Sequence, residues 1–236
     1  MAIGKQTLPS GLDLYFAAPL TSEPAPAVIL FTEGLGLNSD MLEASVQKLA
    51  DAGFFAVAPD IFHGDVFDGA DRDAMIAKIR SIKDEEVLEE TEQTLSFLRT
   101  RSDVAPDRVG GIGFCMGGRL AFLAHGTMPE VFKASAGFYG GGIAPDQDML
   151  GRKPLLHLVP DMRGALFLGY GAEDAGITPA EHSRIIEALS SAKKTYSFNV
   201  YADAGHAFLS PSRPSYAPAA AALAWPQVFE FFHRYL

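Results

Sequence analysis

The run Val109-Gly110-Gly111-Ile112-Gly113-Phe114-Cys115-Met116-Gly117-Gly118 constrains this chain more than any other segment. An apolar strand enters Gly113-Phe114-Cys115-Met116-Gly117, and a helical stretch from Arg119 to His125 leaves it at once. A Gly-x-nucleophile-x-Gly sequence between a strand and a helix is a sharp elbow that lifts the central side chain clear of the sheet edge. Its flanking positions must be glycine, because a Cβ at either would strike the adjoining strand or helix. The same turn sets Cys115 at a helix N-terminus, where partial positive charge favours a thiolate.

Around this elbow, apolar runs alternate with helical patterns. Val28 to Thr32 reads as a strand buried on both faces. Met41 to Asp51 has helical spacing (Leu42, Val46, Leu49), with Gly53 as a C-terminal stop. Phe54 to Ala58 is the next strand, ending at Pro59. Residues 84–101 form the clearest helix, with Val87, Thr91, Leu95 and Leu98 on one side and a Glu-rich first turn. Beyond the elbow follow strands over Lys133–Tyr139, Ala165–Tyr170 and Thr195–Tyr201, a helix over Pro179–Ala192, and a last helical segment from about Ala217 to Leu236. The pattern assigns no element between His63 and Arg80. This βαβα order predicts a single α/β domain over 1–236, a mostly parallel central sheet with helices on both faces. In such sheets function collects at the carboxyl ends of the strands.

Composition narrows the function classes. The 236 residues are 48% hydrophobic and 20% charged, which supplies a large core. With 19 Lys+Arg against 29 Asp+Glu the formal charge is -10, an argument against nucleic acid or an anionic membrane as partner. One cysteine excludes an internal disulfide and a thiolate metal cluster. The N-terminus lacks the pattern of a signal peptide, and no apolar run reaches membrane-spanning length. The reading is a reduced, cytoplasmic protein with a usable thiol, acting on a small molecule as a monomer or small homo-oligomer.

Four predicted strands end in reactive side chains. Val28–Thr32 leads into Glu33-Gly34-Leu35-Gly36, Val109–Phe114 into Cys115, Ala165–Tyr170 into Gly171-Ala172-Glu173-Asp174, and Thr195–Tyr201 into Asp203-Ala204-Gly205-His206. Nucleophile, acid, histidine is the chain order of the α/β-hydrolases. A free thiol of pKa about 8.5 is only about 3% ionised at neutral pH, so a histidine must take its proton. Asp174 would hold the imidazole in the useful tautomer. The oxyanion formed at a carbonyl would be received by backbone N–H groups, that of Met116 in the elbow and most simply that of Gly34. This chemistry needs no metal and no organic cofactor. Asp174 has the competing role of a helix cap, although Thr178-Pro179 suits that role better. His63, after Pro59-Asp60, is the rival base, and Asp161 and Asp203 are the rival acids.

The set Glu33-x-x-Gly36, Gly113-Phe114-Cys115-Met116-Gly117-Gly118, Gly171-x-x-Asp174 and Asp203-Ala204-Gly205-His206-Ala207-Phe208 resembles the dienelactone hydrolases (carboxymethylenebutenolidases), from about Gly11 to the C-terminus. The resemblance implies the α/β-hydrolase fold and a hydrolase that opens an unsaturated lactone, made during aromatic-ring breakdown, to a linear dicarboxylic keto acid. It implies Cys115 as nucleophile, His206 as base, Asp174 as orienting acid, and Glu33 as a switch. A carboxylate beside a thiol keeps it neutral. Substrate would displace Glu33, which then takes the thiol proton, so that the thiolate forms only with substrate bound and is spared oxidation between turnovers. Where the family's best-known members carry a substrate-binding arginine, four residues past the histidine, this chain has Ser210. Arg213, Arg72 or Arg80 could take its place, and Tyr139 is a candidate pocket wall. Two other readings stand beside the lactonase: a broad carboxylesterase or thioesterase acting on neutral substrates, and a ligand binder on the same fold.

Overall fold

The computed structural model describes residues 3–38, 42–68, 71–148 and 150–236, with the side chains of 42–44 outside the description. Eight strands form one sheet: β1 (Gly4–Thr7), β2 (Asp13–Ala17), β3 (Ala25–Phe31), β4 (Phe55–Pro59), β5 (Val104–Phe114), β6 (Phe132–Phe138), β7 (Ala165–Gly171) and β8 (Tyr196–Tyr201). Their spatial order is β1-β2-β4-β3-β5-β6-β7-β8. Strands β3 to β8 pair in parallel, while β1 and β2 form an antiparallel edge against β4.

The predicted parallel core is therefore present. The sequence pattern missed the edge pair because β1 is mostly exposed and β2 only half-buried, so neither is a continuous apolar run. In contrast, Val28 to Phe31 of β3 are fully buried, as a strand covered on both faces must be.

Among the described residues six α-helices surround the sheet: α1 (Lys48–Asp51), α2 (Arg72–Ser81), α3 (Asp84–Arg99), α4 (Met116–Thr127), α5 (Pro179–Ser191) and α6 (Pro218–Tyr235). A π-helical stretch, Leu42–Gln47, runs into α1; Met41, the predicted start of this helix, lies outside the described residues. Helix α2 fills part of the unassigned interval after His63.

Alternation along β5 shows that helices cover both faces. Gly110 lies against Leu236 and Phe232, and the Phe114 ring centroid is 5.9 Å from that of Trp225, so one face meets α6. Gly113 points the other way, onto the start of α4. Strand order reverses between β3 and β5, and the crevice at such a reversal, beyond the carboxyl ends, is where open α/β sheets bind ligands. The segments after β3 and β5 hold Glu33 and Cys115.

Candidate active site

The elbow is built by close backbone approach. A Cβ on Gly113 would overlap the carbonyl of Gly117, and one on Gly117 would overlap the carbonyl of Phe31. Cys115 itself has φ 55° and ψ -119°, a conformation that costs about 1–3 kcal/mol outside glycine and survives only where its surroundings impose it. The surroundings are bonds on both sides: Cys115 N–H donates to the Phe138 carbonyl at 3.0 Å, and Gly118 N–H to the Cys115 carbonyl at 3.0 Å.

The thiol is partly exposed and meets an ordered chain of polar groups. Cys115 Sγ lies 3.1 Å from His206 Nε2, and His206 Nδ1 lies 2.8 Å from Asp174 Oδ2. The Asp174 side chain is almost wholly buried, and its other oxygen accepts the Gly176 N–H at 2.9 Å. Thr178, not Asp174, caps α5, accepting the Glu181 N–H at 3.2 Å. His206 is steadied from the side by Tyr139, whose ring centroid is 5.3 Å away.

Glu33 is buried beside this chain, at 2% exposure. Its Oε1 is 3.9 Å from Arg213 Nε, too far for a hydrogen bond, and its Oε2 has no hydrogen-bond partner among the described residues. Burial pushes the Glu33 carboxyl above its ordinary value, partly countered by the charges of Arg213 and His206. Burial also pushes the Cys115 thiol up, and Glu33 adds to that. The hydrogen bond and charge of His206 outweigh both, with help from the Met116 N–H, and the thiol sits below its ordinary value. For His206 burial favours the neutral ring, but the bonds to Asp174 and Cys115 prevail and raise it to about 10. The carboxylate-enforced neutral thiol expected from the family's pattern is thus opposed here by the imidazole 3.1 Å from the sulfur.

A cavity of about 660 Å³ opens over the thiol, with Cys115, Met116, Asp174 and His206 on its floor. Helix α2 forms one wall through Arg72, Met75, Ile76 and Ile79, spaced as one helical face. The opposite wall belongs to the segment after β6. Two buried charges clamp it. Glu181 accepts the N–H groups of Gly142 and Ala144 at 3.1 and 3.0 Å. Arg119, fully buried just past the elbow, grips Asp84 at 2.6 and 2.9 Å and donates to the carbonyls of Gly142 and Lys153 at 3.3 and 3.0 Å.

Comparison with known proteins matches the dienelactone hydrolase family to residues 12–236. The chain belongs to the dienelactone hydrolase family. That family places it among the hydrolases of ester and lactone bonds. A protein of Synechocystis sp. named "Putative carboxymethylenebutenolidase" is 32% identical over 228 residues, covering 94% of this chain and 91% of its own. One of the same name from Methylorubrum extorquens is 30% identical over 224 residues, covering 94% and 76%. The crystal structure of a "Putative Dienelactone Hydrolase" from Klebsiella pneumoniae superposes with a TM-score of 0.87 at 24% identity, over 99% of both chains, and supports the fold.

In this dienelactone hydrolase family member, Cys115, Asp174, His206 and Glu33 come together where their strand ends place them. Met116 N–H reaches the sulfur. Gly34 lies in the loop packed on α2, where an added Cβ would come within 2.7 Å of Ile79 Cδ1. His63 is drawn away, its Nε2 3.1 Å from Glu90 Oε1 at an exposed position.

The substrate-binding candidates need correction. Tyr139 is buried behind His206 and is no wall of the cavity. Arg213 engages Glu33 instead of the cavity. Arg80 is exposed and off the α2 face that carries Arg72, one residue past Ile79 and so rotated about 100° from it. The sequence reading missed Arg119, Glu181 and the Met75-Ile76-Ile79 stripe. A capping-box spacing, Thr178-x-x-Glu181, was the available signal for Glu181, whose side chain here serves the Gly142 loop.

Proposed function

We propose that this protein is a cysteine-dependent hydrolase of a lactone or ester bond. The observation that carries the reading is the continuous chain Cys115 Sγ, His206, Asp174, with separations of 3.1 and 2.8 Å. The thiolate attacks the carbonyl carbon, and the carbonyl π-electrons move to oxygen. Backbone N–H groups of Met116 and of the Glu33–Gly36 loop, with Gly34 the first choice, receive that oxyanion. Collapse expels the alkoxide, which takes the proton from His206 Nε2 and leaves a thioester on Cys115. In a lactone the alcohol stays tethered to the acyl group. Water then gives a proton to His206, attacks the thioester, and releases acid and thiol. Asp174 fixes the Nδ1–H tautomer and offsets the imidazolium charge. Glu33 and Arg213 set how much thiolate exists before substrate arrives.

Hydrolysis of neutral aryl esters and of lactones by Cys115→Ala tests this. Activity falls to background on every substrate, and full activity in that variant on any of them ends the proposal. His206→Ala loses most turnover and His63→Ala keeps it; the reverse ranking moves the base to His63. A preference for neutral substrates, the second reading, is favoured by Ser210 and by the engagement of Arg213 with Glu33.

A further inference from the structure

The cavity over Cys115 is larger than its chemistry requires. At about 660 Å³ it lies within the roughly 300–1,000 Å³ range of sites that enclose a drug-sized ligand. A small lactone ring would occupy only the floor. The rest of the wall is mostly apolar, and among the described residues its lining includes no phenylalanine, tyrosine or tryptophan. Aliphatic and thioether side chains dominate: Met75, Ile76 and Ile79 on one side, Leu150 and Ile177 on the other, and Met116 beside the thiol. Unbranched thioethers and aliphatic surfaces adapt to flexible hydrocarbon better than to a flat ring.

The charges argue in the same direction. The cavity carries two arginines against four carboxylates. Of the arginines, Arg152 is held by Asp148 through Nε at 3.0 Å and Nη2 at 2.7 Å. Arg72 is exposed and begins α2, seven residues and about 10 Å along the axis from Ile79, which packs on the loop holding Gly34. Arg213 is not among the lining residues, and its Nε stands 3.9 Å from Glu33 Oε1. A carboxylate close to the reacting carbonyl would therefore lie beside Asp174 on the floor, while of the two lining arginines one is paired with Asp148 and the other stands at the start of α2.

Building on the thiol mechanism above, we propose that the substrate is an uncharged ester or lactone with an aliphatic chain of medium length, laid along the Met75-Ile76-Ile79 face of α2. The chain starts at the oxyanion loop, where Ile79 and Met75 approach Gly34, and runs outward along the helix. Each methylene buried there strengthens binding without touching the reacting atoms.

The test is kcat/KM across p-nitrophenyl acetate, butanoate, hexanoate and octanoate, alongside a carboxylate-bearing unsaturated lactone and its methyl ester. We expect a rise of about threefold to fourfold per methylene through hexanoate, carried mainly by KM. The free-acid lactone should be at least about tenfold poorer than its ester. A flat or falling series, or a preference for the free acid, overturns the proposal. Ile76→Trp should collapse the octanoate-to-acetate ratio toward one, and an unaltered ratio in that folded variant also overturns it. Failure of the underlying mechanism reads differently: Cys115→Ala would then hydrolyse octanoate as fast as the parent enzyme, whatever the chain-length trend.

Discussion

Replacing Arg213 by methionine tests the electrostatics around the thiol through protein stability. In the parent, Arg213 is the cation beside a carboxylate that is 2% exposed and lacks a hydrogen-bond partner at Oε2 among the described residues. Two unit charges at about 4 Å attract by roughly 4 kcal/mol at an effective dielectric constant near 20, before the cost of desolvation. The variant need not lose that much, because Glu33 has another way to neutralise itself. It can take a proton, at a cost set by the distance of the pH from its ordinary pKa of 4.5. At pH 7 that is about 2.5 pH units at 1.36 kcal/mol each, a ceiling of about 3.4 kcal/mol. Glu33 is already pushed up in the parent, so the measured loss should fall below this ceiling. The sign follows from linkage. A carboxyl raised in the folded state binds more protons folded than unfolded, so the penalty grows as pH rises above the unfolded value and vanishes below it. Urea unfolding of parent and Arg213→Met from about pH 5 to pH 8 is the assay. The difference should be under about 1 kcal/mol at pH 5 and should grow toward pH 7 while staying below the ceiling of about 3.4 kcal/mol. A difference that does not change with pH would show that Arg213 is mere packing and that Glu33 carries no buried charge.

Four further outcomes follow from the same geometry. The pH profile of kcat/KM should complete its rise below the ordinary thiol value of 9.0, because Cys115 is lowered, and fall toward about 10 as His206 loses the proton it donates to the leaving group; a profile still climbing through pH 9 refutes the ion-pair account. The same raised His206 should stabilise the fold most below its ordinary value of 6.5, with that contribution lost as pH approaches 10. Gly117→Ala should cost upward of about 2 kcal/mol in denaturant unfolding, since its Cβ meets the backbone of Phe31 and backbone cannot yield as a side chain does; a loss within about 0.5 kcal/mol contradicts the close approach. Arg119→Met should cost about 3 kcal/mol, the low end for a broken buried pair because Asp84 keeps some water, and should raise KM by loosening the Gly142 wall; an unchanged KM would separate Arg119 from the cavity.

Residues at the strand ends were legible for a simple reason. Strands buried on both faces are continuous apolar runs, and the polar residue that ends each run stands at the rim of the sheet. Glu33, Cys115 and Asp174 were found this way, whereas His206 follows the half-exposed edge strand β8 and was legible from the chain order of nucleophile, acid and histidine. Side-chain reach was not legible. Nothing near Arg213 in the sequence announces a partner 180 residues earlier, and an arginine in the apolar helix after the elbow reads as a surface residue. Arg119 is instead fully buried because Asp84 arrives from another helix to meet it. Helix α2 escaped notice because most of its positions are exposed, and its narrow apolar stripe is divided between the cavity and the edge of the core. Periodicity detects a helix by what it buries in the interior, so a helix that lines a ligand site is the kind it misses.

Glu33 has no stabilising role that the fold can account for. A buried carboxylate oxygen without a partner among the described residues costs about 1–3 kcal/mol, and a leucine there would avoid the cost. Its position opposes the imidazole: His206 draws the thiol toward thiolate, while Glu33 pushes it back. A thiolate held fully ionised beside a solvent-filled cavity would invite oxidation to the sulfenic acid. One held fully neutral would attack no ester. On the proposed mechanism the two side chains set an intermediate poise, and Arg213 adjusts it by deciding how much of the Glu33 charge the sulfur feels. An uncharged substrate suits this arrangement, because it can enter over Cys115 without competing for Arg213 and so without releasing Glu33. Here the imidazole would therefore activate the sulfur on its own, with the carboxylate acting as a brake and not as the base.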